Sequence, residues 1–150
     1  RDYKVTGVQT CALPICLAGL VAYEIASQLF DEDGQPSKLI LLDSVCPSAE
    51  ALADFKRSGY QGLKEDHGEG LASQVFPYYL ALLSYSPPRL NGSVTVVATE
   101  TSVKAHGETL GWGDHIQGDL QVKGVPGDHA SYIRDDAETT GQLIGSLFGE

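Results

Sequence analysis

The sequence predicts an α/β domain, a mostly parallel sheet flanked by helices, and two observations carry that prediction. Apolar residues recur at helical spacing through residues 17–30, and the next apolar segment, 39–42, is apolar at every position. A short run of this kind is typical of a parallel strand that is covered on both faces. Two more strand-like segments follow at 93–98 and 120–125, and a last helix is expected at about 136–148. A helix that leads into a buried strand is half of a βαβ unit, so we expect the strands to be parallel.

The segment between the first two strands has a different character. Residues 49–57 and 71–84 are predicted to be helical, and a polar, glycine-containing stretch, 59–70, separates them. We interpret residues 44–88 as a lid over a binding channel, because this insertion directly follows the first predicted strand. An ordinary helical insertion that packs on the sheet is the alternative. The turn-rich segment 31–37 is expected to end the first helix.

Residues 1–15 do not resemble part of a folded protein. Within them, segment 5–15 (VTGVQTCALPI) resembles the translation of a common short-read sequencing adapter. We therefore treat residues 1–15 as a non-native segment and residues 16–150 as the informative chain. The last adapter base would turn a serine codon, AGC, into the cysteine codon TGC, so Cys16 is interpreted as standing where the parent protein has serine. A native cysteine is the alternative, and Pro14 stands where a nucleophile elbow requires glycine.

Composition and charge exclude several classes of function. With 20 acidic and 10 basic residues the net charge is −10, which disfavours nucleic acids and anionic membranes, because both bind clustered Lys and Arg. We expect neither a secretory signal nor a membrane-spanning segment. Cys46 is the one cysteine left once Cys11 and Cys16 are discounted, so we expect no disulfide framework and a cytoplasmic location. No residues have the spacing of metal ligands or of a phosphate-binding glycine loop, so neither a metal nor a cofactor is expected.

Three side chains are candidates for nucleophilic catalysis. Cys16 precedes the small residues Ala18 and Gly19 and a helix, as in the second half of a nucleophile elbow. Asp43 ends the first strand and His129 follows the last one. Open parallel sheets bind ligands at the carboxyl ends of their strands, so all three can face one site. An imidazole takes the proton of the nucleophile, and an acid fixes the tautomer of that imidazole. Taken singly, Asp43 could be a turn cap and His129 a solvated loop residue.

Together these motifs resemble the thioesterase domain that ends nonribosomal peptide and polyketide synthases, in the α/β-hydrolase superfamily. The segments that carry the resemblance are residues 17–26, Leu41-Leu42-Asp43-Ser44, Trp112 and Gly127-Asp128-His129. The resemblance spans nearly all of residues 16–150. It implies a partial α/β-hydrolase fold whose N-terminal strands are missing, with residues 44–88 as a helical lid over an acyl-binding channel.

The resemblance also implies roles for single residues. Cys16 stands at the nucleophile, Asp43 at the acid and His129 at the base. The N–H of Leu17 would give half of the oxyanion hole. The related stand-alone editing thioesterases have the acid one strand later, where this chain has Glu100, so Glu100 is the alternative acid. The Leu-Leu-Asp-Ser context and the spacing from the nucleophile favour Asp43.

The implied activity is release of an acyl or peptidyl chain from the phosphopantetheine thioester of a carrier protein. Release would be by hydrolysis or cyclisation through an acyl-enzyme intermediate, and the carrier protein or domain and its thioester are the implied partners. A generic serine esterase or lipase is one alternative, and a non-catalytic binding module of the same fold is another. Because strands before Cys16 are missing, the first strand would have an open edge, and we expect this chain to be poorly soluble and inactive or impaired.

Overall fold

A parallel sheet forms the centre of the molecule. The structure, a computed structural model, describes residues 16–33 and 38–148. Within them, strands β1 (Lys38–Leu42), β2 (Ser93–Thr99) and β3 (Leu120–Val125) pair in that order, and both pairings are parallel. The strands begin and end within one residue of the predicted segments. All three carboxyl ends therefore lie at the same edge of the sheet, and the predicted α/β fold is confirmed.

Helices cover the sheet and form the insertion after β1. In chain order the helices are α1 (Ala18–Asp33), α2 (Ala49–Asp54), a π-helical turn (Phe55–Gly59), α3 (Tyr60–His67), α4 (Glu69–Leu83), α5 (Glu100–His106) and α6 (Ala137–Phe148). Helix α1 continues to Asp33, beyond its expected end, because neither glycine nor proline occurs between Gly19 and Gly34. The expectations for residues 1–15, Pro14 included, and for residues 34–37 lie outside the described residues.

Strands β1 and β2 bury side chains on both faces, as their largely apolar sequences predict, whereas β3 is mostly half-buried or exposed. On one face, Leu39 and Leu41 pack with α1 residues such as Tyr23. On the other face, Ile40 and Leu42 pack with Leu147 of α6. The sheet is therefore a middle layer between helices, and only its edges are left to carry a site.

The insertion is more helical than the sequence predicts. The stretch 59–70, expected to be polar and non-helical, contains α3. The helical structure of this stretch is interrupted only at Gly68, whose φ is +81°. Gly59 does not interrupt the helices, because the ring of Phe55 packs against it: a Cβ at position 59 would lie 2.3 Å from that ring. The Phe55 ring also stacks on Phe76 of α4, with ring centroids 5.1 Å apart. An aromatic cluster thus holds the insertion together from within.

Within the described residues, no helix is long and apolar enough to cross a membrane.

Candidate active site

Asp43 and His129 form the centre of the site. Asp43 directly follows β1, His129 lies in the loop after β3, and His129 Nδ1 is 2.7 Å from Asp43 Oδ2. The Asp43 side chain is fully buried, whereas 46% of the His129 side chain is exposed. A buried carboxylate thus supports a histidine whose other ring edge can reach a substrate. The structure brings these two predicted residues together.

The end of β2 holds the Asp43 carboxylate from the opposite side. The Thr99 N–H donates to Oδ1 at 2.9 Å, and the hydroxyls of Ser102 and Thr99 donate to Oδ2 at 2.9 and 3.3 Å. Asp43 has a φ of +46°, a left-handed conformation that aspartate tolerates better than most residues. A buried carboxylate needs such donors to offset the loss of water. Thr99 and Ser102 are site residues that the sequence analysis missed.

A reciprocal pair of hydrogen bonds fixes the loop that carries His129. The Asp128 carboxylate accepts from the N–H of Ser131 at 2.9 Å, and the Ser131 hydroxyl accepts from the N–H of Asp128 at 2.8 Å. The N–H groups of Ser131 and Ala130 both donate to the Asp128 carboxylate and hold its pKa below the usual value. Gly127, with a φ of +85°, leaves space for the Ser131 side chain, because a Cβ at position 127 would lie 2.2 Å from the Ser131 hydroxyl oxygen. Asp128 therefore acts as the turn residue that positions His129.

Cys16 occupies a strained turn, as a nucleophile elbow requires. Its φ is +58°, which is costly for a residue other than glycine. Its N–H donates to the Leu42 carbonyl at 3.2 Å, and its own carbonyl accepts from the Gly19 N–H at 3.0 Å as α1 begins. Gly19 must be small, because a Cβ there would lie 2.2 Å from the Ser44 hydroxyl oxygen. Among the described residues, nothing accepts a hydrogen bond from the Leu17 N–H.

Tyr132 links the elbow to the histidine. Its buried hydroxyl approaches the Leu42 carbonyl at 3.5 Å, the same oxygen that accepts from Cys16, and its ring centroid is 6.1 Å from that of His129. Burial, and then the charges of Asp43 and Cys16, raise the pKa of Tyr132 to about 12. Tyr132 thus lies beside His129 and the carbonyl that accepts from Cys16, although no hydrogen bond joins the Cys16 thiol to His129 in the described chain.

Glu100, the alternative acid, lies elsewhere. It is the first residue of α5, its side chain is exposed, and no hydrogen bond of the described chain joins it to His129. Glu100 lines an open groove of about 680 Å³ along α5 and β3, and Cys16, Asp43 and His129 do not. No three His, Cys, Asp or Glu side chains in the described ranges are placed to hold a metal ion.

Solved structures that are similar to this one include thioesterase domains. The NocB thioesterase domain from the nocardicin cluster is 26% identical, with a TM-score of 0.63, and it covers 91% of this chain. Its covalent complex with a fluorophosphonate nocardicin G analog is 27% identical, with a TM-score of 0.60. This chain spans 63% and 65% of those two chains, which is less than two thirds of each.

More distant matches show the fold alone. Holo-AB3403, a four-domain nonribosomal peptide synthetase bound to AMP and glycine, is 22% identical with a TM-score of 0.64, and the match covers 91% of this chain and 14% of that one. Human thioesterase 2 is 14% identical with a TM-score of 0.58, and the match covers 92% of this chain and 70% of the human one. No family model and no curated protein matches the sequence.

The thioesterase neighbours have the α/β-hydrolase fold, and the parallel sheet with its covering helices corresponds to part of it. The structural comparison therefore confirms the fold class and the resemblance of this chain to thioesterase domains.

Proposed function

We propose that this chain carries the catalytic residues of a thioesterase, with Cys16 at the nucleophile, His129 as base and Asp43 as acid. The observation that carries the proposal is the 2.7 Å contact between His129 Nδ1 and the buried Asp43 carboxylate. That pair lies at the same sheet edge as a strained Cys16, in a chain that resembles the NocB thioesterase domain. The sequence order of nucleophile, acid and histidine matches that of the α/β-hydrolases.

The acid sets the protonation of the base. An ionised carboxylate only accepts hydrogen bonds, so His129 places its proton on Nδ1 and leaves Nε2 free to accept one. Nε2 then takes the proton of the Cys16 thiol, or of a serine hydroxyl in the parent, as the nucleophile attacks the thioester carbonyl. The bond from Cys16 to the acyl carbon forms and the thioester C–S bond breaks. The leaving thiol receives the proton from His129.

The second half of the reaction releases the acyl chain. Water, or a hydroxyl or amine of the chain itself, gives its proton to His129 and attacks the acyl-enzyme carbonyl. The product is a free acid or a macrocycle, and the Cys16 thiol is restored. The negative oxygen that forms in each half would be bound by the N–H of Leu17, a donor of the kind worth about 3 to 4 kcal/mol of transition-state stabilisation.

The substrate class is an acyl or peptidyl chain on the phosphopantetheine of a carrier protein. The similarity to the NocB thioesterase domain, which forms a covalent complex with a nocardicin G analog, supports an acyl substrate. The helical insertion that follows β1 would cover the acyl chain. Its helix α4 has exposed apolar side chains, Leu71 at 47% and Tyr78 at 71% exposure, and these suit contact with a hydrophobic chain.

The test compares two substrates on the purified 150-residue chain. We expect the activity of this chain, although impaired, to be greater toward acyl chains on an acyl-phosphopantetheine carrier protein than toward a p-nitrophenyl ester of the same acyl group. His129→Ala should abolish both activities. His67→Ala, which removes an exposed histidine from the insertion, should change neither by more than about twofold.

Two outcomes would contradict the proposal in different ways. Faster cleavage of the oxygen ester, with no effect of the carrier protein, would indicate a generic esterase. Failure of a fluorophosphonate probe to label the Cys16→Ser variant, together with no turnover of either substrate, would indicate a non-catalytic module. The probe is suited to the purpose because the NocB thioesterase domain forms a covalent complex with a fluorophosphonate.

A further inference from the structure

Ser44 contacts the Cys16–Leu17 peptide, whose N–H is the proposed oxyanion donor. Its side chain is fully buried, and its hydroxyl oxygen is 2.7 Å from the carbonyl oxygen of Cys16. The Leu42 carbonyl, at 3.4 Å, is the competing acceptor. A hydroxyl has one hydrogen to donate, and the shorter distance assigns that hydrogen to Cys16. The Cys16 carbonyl also accepts from the Gly19 N–H at 3.0 Å, so both of its lone pairs are used.

The orientation of that carbonyl determines the orientation of the proposed oxyanion donor. The Cys16 carbonyl and the Leu17 N–H belong to one peptide unit, which is planar and trans, so the two groups point in opposite directions. A hydrogen bond that fixes the carbonyl therefore fixes the N–H as well. It also polarises the peptide, which makes the N–H a stronger donor.

Ser44 is itself held in place from both sides. The Trp112 indole N–H donates to the Ser44 carbonyl at 2.7 Å, and the Trp112 ring packs on Tyr23 with ring centroids 4.6 Å apart. On the other side, the missing side chain of Gly19 leaves the space that the Ser44 hydroxyl fills. A residue that served only to fill the core would not need this alignment with a carbonyl of the elbow.

We propose that Ser44 is a positioning residue of the oxyanion hole, whose hydroxyl fixes the Cys16–Leu17 peptide so that the Leu17 N–H meets the oxygen of the reacting carbonyl. The proposal rests on the function proposed above and adds to it a residue that does not touch the substrate. It predicts that Ser44 matters for attack on a carbonyl and not for the nucleophilicity of Cys16.

Two reactions of the same thiol separate these effects. In acylation by p-nitrophenyl acetate, the Cys16 sulfur bonds to the carbonyl carbon, p-nitrophenolate leaves, and a negative carbonyl oxygen forms on the way. In alkylation by iodoacetamide, the sulfur bonds to a methylene carbon, iodide leaves, and no oxyanion forms. The thiol proton goes to His129 or to solvent in both. Peptide mass mapping follows Cys16 separately from the other cysteines, of which Cys46 is buried.

We expect Ser44→Ala to slow the acylation of Cys16 about tenfold and to leave its alkylation within about twofold. Ser27→Ala is the matched control, because Ser27 is also buried and its hydroxyl also donates to a backbone carbonyl, that of Glu24, at 2.8 Å. It should change neither rate. An equal loss of both rates in Ser44→Ala, or a change in neither, would overturn the proposal.

Two further measurements keep the result interpretable. If loss of the far-ultraviolet circular dichroism shows that Ser44→Ala does not fold, Ser44→Cys replaces it, because cysteine keeps the volume of serine with a weaker hydrogen-bond donor. In Ser44→Cys, the acylation of Cys16 should still fall relative to its alkylation. Turnover of an acyl carrier protein by the unmodified chain is measured in parallel. A selective loss of acylation without such turnover would support the role of Ser44 and contradict the thioesterase function.

Discussion

Replacing Asp43 by asparagine should remove most of the activity while the fold survives. The Asp43 carboxylate accepts four hydrogen bonds, from the Thr99 N–H, the Thr99 and Ser102 hydroxyls and the His129 ring. In the variant, the amide oxygen can still face the Thr99 N–H. The amide nitrogen then takes the place of Oδ2, where it meets the two hydroxyls and His129.

The two kinds of neighbour respond differently to that change. Hydroxyls can rotate and accept a hydrogen bond, so the stability should fall by no more than about 1 to 3 kcal/mol. His129 can accept at Nδ1 only by moving its proton to Nε2, and it then cannot take a proton from Cys16. Loss of the general base should lower the rate of acyl release by about 10² to 10⁴, which corresponds to about 2.7 to 5.5 kcal/mol.

The assay is acyl release from an acyl-phosphopantetheine carrier protein, with urea unfolding to measure stability. Glu100→Gln is the matched control, since it makes the same chemical change at the alternative acid, and its rate should stay within about twofold. A Glu100→Gln loss as large as that of Asp43→Asn would refute the assignment of the acid. So would an Asp43→Asn variant that is folded and retains more than a tenth of the rate.

Three further predictions concern the elbow, the buried thiol and the surface of α1. Gly19→Ala should lower the free energy of unfolding by about 1 to 3 kcal/mol in urea titrations, because its Cβ would overlap the Ser44 hydroxyl; unchanged stability would contradict the packing. Burial, and then the charge of Asp114, raise the pKa of the Cys46 thiol to about 11, so its thiolate is scarce at pH 8. Iodoacetamide should therefore modify Cys46 slowly at pH 8 and faster as the pH approaches 11, and equal rates at both pH values would be inconsistent with this. Ile25→Glu should reduce light scattering at constant stability, because Ile25 is 53% exposed on an apolar face of α1; unaltered scattering would exclude that face as a cause of association.

The sequence predicted the strands and the acid–base pair for a clear physical reason. Parallel strands buried on both faces have continuous apolar runs, and such runs have visible ends. Asp43 stands immediately after such a run, and His129 stands four residues after β3, a strand in which apolar and polar residues alternate. Because parallel strands align their carboxyl ends, two polar residues far apart in the chain could be expected at one edge.

Helix α5 and the site hydroxyls of Thr99 and Ser102 were not predicted, because seven residues are too few to show helical periodicity. The available signal was local: Thr99 precedes the acidic residue Glu100, as at many helix starts. In the structure the Thr99 hydroxyl accepts from the Ser102 N–H at 3.2 Å, so Thr99 caps the helix that brings Ser102 to Asp43. Glu100 is then an acidic residue in the first turn of a helix, a position where acidic residues are common.

Tyr132 and Ser131 could not be assigned to the site from the sequence. Their contribution depends on a loop that folds back after β3, and no periodicity governs such a loop. The Gly127-Asp128-His129 segment indicated a turn, but it could not indicate that the Ser131 hydroxyl would close it. Positions that act through another residue's backbone leave little trace in the sequence pattern.

The contact between His129 and Asp43 has a consequence for how the molecule assembles. The two residues are 86 positions apart, and they follow the two outer strands of the sheet that the described residues form. They meet only when β1 and β3 are both paired with β2, so the proton on His129 Nδ1 is an internal reporter of the complete sheet. In a refolding experiment followed by NMR, its resonance should emerge after the helical signal. Contacts this distant along the chain are slow to close, whereas helices need only local ones.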